Sequence, residues 1–376
     1  MFAEPVCSGS GAIARCAHIL DELHGRIAYR FARAEVRERA RRYLAGLLDR
    51  VERKNGWQLA EAIGEIGAKG AQRLLNAATW DADGMRDDLR EYVVEQLGDE
   101  ASGILIVDET GFLKKGTKSC GVARQYTGTA GATVNCQVGV FLAYASERGA
   151  AFIDRTLYLP RAWTQDAERR AEAGIPVGVR FASKIILAER MLARAFDADT
   201  PARWVVADSF YGRSGVFRRW LEERDRAYAV MIPRTNAIQY EGRRIRVEQL
   251  AERLTVPESS GWLCLALSEE CAAGSGRWLL IRRDADEPRE DAYWLAYGPA
   301  GTNEEELVRV CDARWQIEEC FAQAKGEVGM DQYEVRTWTA WHRFMTLCLL
   351  AHASLVVLRS VARQEETEEK GALIPA

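Results

Sequence analysis

The sequence predicts an α/β protein in which a mixed sheet carries helices on its faces. Three observations support this prediction. The first hundred residues read as helices, short apolar runs typical of buried strands begin after Gly98, and helical patterns recur between and after those runs. A chain of 376 residues is long enough for two or three structural units.

The N-terminal hundred residues contain several helix signals. Residues 26–48 hold few helix breakers, and Asn55 can cap the helix that follows it. Asp81 or Asp83 can begin another helix, which reaches about Leu97. Two short helices around a glycine-bearing turn then lie beside a basic helix, which resembles a helix-turn-helix.

A basic segment accompanies these helices. Between Arg26 and Lys54, ten Lys and Arg residues stand against four Asp and Glu residues, although the whole chain has a net charge of −4. DNA binding depends on the local surface more than on the total charge. We therefore predict that residues 1–100 form a helical, helix-turn-helix-like DNA-binding domain; a solvated helix face and a simple packing pair are the alternatives.

Apolar runs after Gly98 predict strands and two intervening helices. The strands are residues 102–107, 120–126, 133–144, 151–159, 204–207 and 227–232, and the helices are residues 184–196 and 214–223. Further β-like runs in residues 235–300 predict a β-rich insertion. Helices resume at residues 303–327 and 338–361.

Composition narrows the class of protein. Hydrophobic residues make up 48% of the chain and charged residues 28%, as in soluble globular proteins. The nine cysteines show no two-residue spacing and histidines number only four, so we expect reduced, mostly buried thiols and no Cys/His metal site. No uninterrupted apolar run of 18 residues and no signal-peptide pattern is present, so we expect a cytoplasmic protein with no membrane partner.

Two predicted strands each end in an aspartate, Asp108 and Asp208. Carboxylates at strand ends are typical of sites in open α/β sheets, because the chain leaves the sheet there. A later helix, begun by a capping box of Thr302 and Glu305, offers a third carboxylate, Glu318.

A single helix over residues 303–327 would group four side chains. At about 100° per residue, Cys311, Arg314, Glu318 and Lys325 share one narrow stripe. The stripe predicts a metal ligand between two phosphate-binding cations; the alternative is an intrahelical Glu–Arg pair on a solvated face.

Three segments resemble the motifs of insertion-sequence DDE transposases. They are residues 107–116 (VDETGFLKKG), 207–212 (ADSFYG) and 314–325 (RWQIEECFAQAK). The third matches the branch with a Tyr-x2-Arg-x3-Glu-x6-Lys signature, and residues 51–60, 125–131 and 327–336 also resemble that branch. The likeness covers almost the whole chain.

The resemblance implies an RNase H-like fold that cuts and rejoins DNA strands. Asp108, Asp208 and Glu318 would bind two Mg²⁺ ions, with Mn²⁺ as a substitute, and Arg314 and Lys325 would contact phosphates. Residues 101–234 would be the first part of the catalytic core, residues 235–300 the insertion and residues 301–376 the C-terminal helices of the core. Double-stranded DNA is the implied partner, bound by a homodimer that processes two element ends.

Two departures from the family pattern are present. Cys311 stands where the signature has tyrosine, which removes the hydroxyl expected to contact phosphate. The chain stops at Ala376, soon after a Gly-Ala-Leu-Ile-Pro segment beyond which the family continues, so a shortened C-terminus is expected.

Further DNA contacts are predicted beside the motifs. Lys114 and Lys115 lie between glycines after the first carboxylate and can contact the DNA backbone, or they are ordinary exposed lysines. Tyr211 and Trp315 can stack on bases, although large aromatics near a sheet are more often core. Glu109 would face away from Asp108 on an extended strand.

Two other functions remain open from the sequence. A transposase-derived DNA-binding protein with an inert or repurposed core would fit the altered Cys311. A hydrolase with paired carboxylates, such as a glycosidase, would act without divalent metal, whereas a transposase is silenced by EDTA.

Overall fold

The computed structural model describes residues 10–254, 261–267, 271–283 and 291–372. The end of the Gly-Ala-Leu-Ile-Pro segment lies outside these residues. The helices are α1 Ser10–Ile27, α2 Ala34–Leu48, α3 Gly56–Ala62, α4 Lys69–Asn76, α5 Ala82–Leu97, α6 Arg161–Gln165, α7 Ala167–Glu172, α8 Lys184–Asp197, α9 Ser209–Gly212, α10 Gly215–Glu222, α11 Val247–Ala251, α12 Glu304–Asp312, α13 Trp315–Val328 and α14 Trp338–Ala372.

The strands begin after α5 and are interspersed with helices α6 to α11, and the α/β class with a mixed sheet is confirmed. They are β1 Ile104–Leu113, β2 Ala123–Thr127, β3 Ala132–Ser146, β4 Gly149–Leu157, β5 Trp204–Ala207, β6 Ala227–Ile232, β7 Ala237–Tyr240, β8 Arg243–Arg246, β9 Trp262–Ala266, β10 Ser275–Arg282 and β11 Ala292–Pro299.

The chain divides into two compact units. The first contains Met1–Gly98, Glu109–Met191 and Glu318–Ala376, and the second contains Asp99–Asp108 and Leu192–Ile317. The division falls inside β1, α8 and α13.

In the second unit a mixed sheet has the order β1-β5-β6-β11-β10-β9. The first half of β1 runs parallel to β5, and β5 runs parallel to β6, whereas β11, β10 and β9 add antiparallel strands. All four residues of β5 are buried, as expected for a parallel strand covered on both faces. Strands β7 and β8 form a separate hairpin.

In the first unit β3 pairs antiparallel with β2 and β4, and α5 and α14 pack against β4. An aromatic cluster forms the core there: the ring centroids of Phe141 and Phe321 are 5.4 Å apart, and those of Phe152 and Phe321 are 4.9 Å apart. Burial of such large rings supplies much of the stabilisation of a domain.

Helix α14 contains an apolar stretch, Trp338–Glu366, that is long enough to cross a membrane. Within the protein 83% of its most apolar window is buried. The stretch therefore has the character of a core helix, which passes the same test of length and hydropathy.

Local capping signals were predicted correctly at two helices. The Asn55 side chain accepts hydrogen bonds from the backbone N–H groups of Trp57 and Gln58 at the start of α3. Asp81 caps α5 through the N–H of Asp83. At α12, however, the cap is Asn303, and the predicted capping box of Thr302 and Glu305 is wrong, since the Thr302 hydroxyl instead donates to the Pro299 carbonyl.

Near the carboxylates, two element boundaries in the structure also differ from the predicted ones. Strand β1 continues through Asp108 to Leu113, so Asp108 lies within the strand. The predicted helix over residues 303–327 is interrupted at Ala313 and Arg314, which separates α12 from α13.

Candidate active site

In the second unit Asp108 and Asp208 directly follow the paired segments of β1 and β5. Strands β1 and β5 are parallel with Val107 opposite Ala207, so the next residue on each strand is an aspartate. Neighbouring strands lie about 4.8 Å apart. The two aspartates therefore lie on neighbouring chains where the β1–β5 pairing ends, and both residues are half-buried.

The Asp208 carboxylate is held at the start of α9. Its Oδ1 accepts hydrogen bonds from the backbone N–H groups of Phe210 at 3.0 Å and Tyr211 at 3.4 Å. This N-cap fixes the side chain at the end of β5. Gly212 is required at the end of this short helix, because a Cβ there would overlap the Met231 carbonyl oxygen of β6.

Arg314 lies beside Asp108. Its Nη1 is 4.0 Å from Asp108 Oδ2, and only 7% of the arginine is exposed. Its guanidinium lies over the Trp315 ring, 4.3 Å from the centroid. A cation this deeply buried interacts more strongly with a carboxylate than it would in water, so Arg314 balances part of the negative charge at this site.

The remaining motif residues belong to the first unit. Glu318 is exposed in the first turn of α13, and Lys325 lies seven residues later on the same face of that helix. Lys325 Nζ donates to the Thr110 hydroxyl on β1 at 2.8 Å. Beside Thr110, the Glu109 carboxylate forms an ion pair with Lys184 at the start of α8.

The donor chemistry of the aspartate pair suits a hard divalent cation, which prefers oxygen ligands. Within the described ranges, no group of three or more His, Cys, Asp or Glu side chains is close enough to hold a metal ion. The assignment of Glu318 as a third ligand therefore stays a prediction.

Comparison with known proteins identifies the family. A family model for the DDE superfamily endonuclease matches residues 26–254, which is more than half of the chain. The chain belongs to this family. A second model, for the transposase DDE domain, matches residues 183–353 of this DDE family member.

A curated relative supports the same assignment. The probable transposase for insertion sequence element IS701 from Microchaete diplosiphon is 31% identical to this DDE family member over 189 residues. The alignment covers 50% of the chain and 46% of the relative, so the matched region spans about half the length of that protein.

Two predicted DNA contacts of this DDE family member are corrected. Tyr211 is fully buried against Phe210 and Phe217, so its ring cannot stack on a base without unpacking the core. Lys114 Nζ donates to the Tyr333 carbonyl at 2.9 Å and lies over the Tyr333 ring, and burial lowers its pKa to about 8. The Lys114 ammonium is thus directed inward, whereas Lys115 is exposed.

The sequence singled out Trp315, whose base contact stays a prediction, but not Lys184. Trp315 is 49% exposed, as contact with a base requires. Lys184 was not singled out from the sequence, although it pairs with the residue directly after Asp108. Its position as the first residue of a predicted helix gave no signal of that distant partner.

The predicted four-residue stripe is wrong at Cys311. Because the helix is interrupted at Ala313 and Arg314, Cys311 belongs to α12, where it is fully buried and burial raises its thiol pKa. Reduced, mostly buried thiols were predicted, and five of the seven described cysteines are buried: Cys120, Cys136, Cys311, Cys320 and Cys348.

We predict that Cys311→Tyr destabilises this DDE family member instead of restoring a phosphate contact. The larger ring does not fit a fully buried site, and overpacking costs about 1–3 kcal/mol. Urea unfolding should show this loss, while Cys311→Val, which changes the volume little, should lose less than about 1.5 kcal/mol. Higher cleavage activity in Cys311→Tyr at unchanged stability would contradict the prediction.

Proposed function

We propose that this protein is a DNA transposase that cuts and rejoins the strands of an insertion sequence. The observation that carries the proposal is the pair of aspartates where the parallel pairing of β1 and β5 ends, in a chain that belongs to the DDE superfamily endonucleases. Paired carboxylates at such a position in an open sheet are suited to metal-assisted phosphoryl chemistry.

DDE transposases generally use divalent metal ions. We assign Mg²⁺, with Mn²⁺ as a substitute, and Asp108, Asp208 and Glu318 are the residues that would hold two such ions. When bound, the ions supply activation of the attacking oxygen and stabilisation of the leaving oxygen at the phosphodiester. Oxygen donors favour these hard ions over softer metals.

The protein's own residues contribute charge and position. The N-cap at α9 orients the Asp208 carboxylate, and Arg314 keeps a positive charge 4.0 Å from Asp108. Lys325, fixed by its hydrogen bond to Thr110, is placed on the same helix face as Glu318 to neutralise a phosphate of the bound strand. We assign water as the first attacking group and the released 3′-hydroxyl as the second.

The partner is double-stranded DNA, namely the element ends and a target. Two ends have to be processed together, so we propose a homodimer on DNA. The matched relative is named as a probable transposase, which supports DNA as the substrate. We propose that the protein works in the cytoplasm of its host, where it meets the DNA on which it acts.

The test uses a supercoiled plasmid that carries this gene with several hundred base pairs of its native flanks. We expect Mg²⁺-dependent nicks at fixed positions on either side of the gene, mapped by primer extension, and no nicks with EDTA. The wild-type protein should also retard a linear fragment that contains either flank.

Three results would count against the proposal. Specific binding without nicking would favour a transposase-derived DNA-binding protein with an inert core. Nicking that persists in EDTA would exclude the metal mechanism. Nicks at random positions would show a nuclease that does not recognise element ends.

A further inference from the structure

Helix α4 has two chemically distinct faces. One face is buried and apolar, and α4 contacts α2, α3 and α14; its buried residues are Ala71, Leu74 and Leu75. The opposite face is exposed and polar. Its residues are Lys69, Gln72, Arg73 and Asn76, which follow the i, i+3, i+4, i+7 spacing of a single helix stripe.

The side chains of this stripe are the types that read DNA base edges. Arginine binds guanine O6 and N7 with two hydrogen bonds, and glutamine or asparagine binds adenine N6 and N7 in the same way. An eight-residue helix with such a face fits the major groove, which admits an α-helix. The stripe thus has the composition of a recognition helix.

The side chains of the stripe differ in their contacts. Among the described residues, no hydrogen bond or ion pair engages the side chains of Gln72 and Arg73. Asn76, in contrast, donates from Nδ2 to the Gln72 carbonyl at 2.9 Å and accepts from the Thr337 hydroxyl at 3.4 Å. Gln72 and Arg73 are therefore the better placed readers.

The surface next to the stripe is mostly basic and therefore complements the negative charge of a DNA backbone. A groove of about 550 Å³ runs between α4 and the start of α2. Its basic lining residues are Arg33, Arg39, Lys69 and Arg73, and its one acidic lining residue is Glu35. Lysine and arginine side chains around a recognition helix supply the phosphate contacts that orient it.

The start of α4 is fixed by a separate contact. Glu65 Oε2 accepts a hydrogen bond from the Ala71 backbone N–H at 3.1 Å, and its carboxylate pairs with Arg39 at 2.5 Å. This pair occupies the positive end of the helix and ties it to α2. A recognition helix needs such anchoring, because a small rotation would move its side chains away from the bases.

We propose that α4 is the helix that reads the sequence of the element ends in the major groove. Arg73 contacts a guanine, Gln72 contacts an adenine, and Lys69 and Arg33 contact flanking phosphates. This inference rests on the proposed function, since it concerns how a transposase recognises its ends.

The test is selection of bound DNA from a pool of duplexes with a randomised 20-base-pair centre, followed by sequencing. The wild-type protein should enrich one motif. Arg73→Lys keeps the charge but loses the two-bond geometry, so we expect the preference for one guanine to fall about 5- to 150-fold. Gln72→Ala should lower the preference for one adenine by a similar factor. Binding of this variant to random duplexes should change less than about twofold.

Arg148→Lys, on the exposed turn between β3 and β4, is the matched control and should keep the wild-type motif. Thermal unfolding of each variant checks that the fold is intact. The inference is overturned if the wild-type protein enriches no sequence, or if Arg73→Lys and Gln72→Ala enrich the same motif as the wild type. If these variants alter an enriched motif but the wild-type protein shows no Mg²⁺-dependent nicking, α4 remains the helix that reads DNA sequence. That result would overturn the proposed function alone.

Discussion

Asp108→Asn should reduce strand cleavage by at least about a thousandfold while DNA binding stays within about twofold of wild type. A bound metal ion stabilises the transition state by several kcal/mol, which is lost when a ligand that holds it is removed, and each 1.36 kcal/mol is worth tenfold in rate. The substitution preserves side-chain volume and removes a charge that lies 4.0 Å from buried Arg314. Plasmid nicking and gel retardation on the same preparations measure the two effects.

Asp225→Asn is the matched control for that experiment. Asp225 is exposed in the second unit and has a positive φ of 53°, a conformation that asparagine tolerates well. We expect wild-type nicking and wild-type binding from this variant. Cleavage that survives in Asp108→Asn, or is lost equally in Asp225→Asn, would contradict the role assigned to Asp108.

Acidification from pH 7.5 to pH 5.5 should lower the free energy of unfolding by about 2–3 kcal/mol. Burial lowers the pKa of His342 and of His352 to about 3, whereas an unfolded histidine titrates near 6.5. Between these values the unfolded chain binds more protons than the folded chain. The contribution of the two neutral histidines to the free energy of unfolding is therefore fully present above pH 6.5. It falls as the pH drops below this value, by about 1.4 kcal/mol per pH unit for each histidine.

Urea unfolding at the two pH values measures this effect, and the difference between them is the quantity to compare. His352→Gln removes one of the two buried groups and should remove about half of the pH difference, whatever its effect on stability at pH 7.5. Equal pH differences in wild type and His352→Gln would show that the buried histidine does not carry the effect.

Parts of the fold could be predicted because their signals are local. Strands β5 and β6 have the predicted bounds, since each is a short apolar run closed by an aspartate or a proline. Asn55 and Asp81 cap their helices through atoms two or three residues away. Such contacts need no knowledge of the rest of the chain.

Other parts depend on distant partners and could not be predicted. Strand β1 extends beyond its apolar run, because its second half continues beside β3 after the pairing with β5 ends at Val107. The break after α12 contains neither glycine nor proline, so nothing in the helical pattern indicated it. Buried Arg314 occupies that break and contacts Asp108, which lies more than two hundred residues earlier in the chain.

The candidate site also combines features that the sequence predicted with features that depend on distant contacts. Asp108 and Asp208 were predicted from two strand ends, and the register of β1 and β5 places them side by side. The inward orientation of Lys114 and the burial of Tyr211 depend on their contacts with Tyr333 and Phe217, which the sequence did not indicate. The ion pair of Lys184 with Glu109 likewise joins two distant segments.

The most direct test of the central claim is anomalous diffraction from crystals of the protein with an element-end duplex and Mn²⁺. We expect Mn²⁺ peaks within coordination distance of carboxylate oxygens from Asp108, Asp208 and Glu318. Mn²⁺ bound elsewhere, or bound to the two aspartates with a different third residue in place of Glu318, would contradict it.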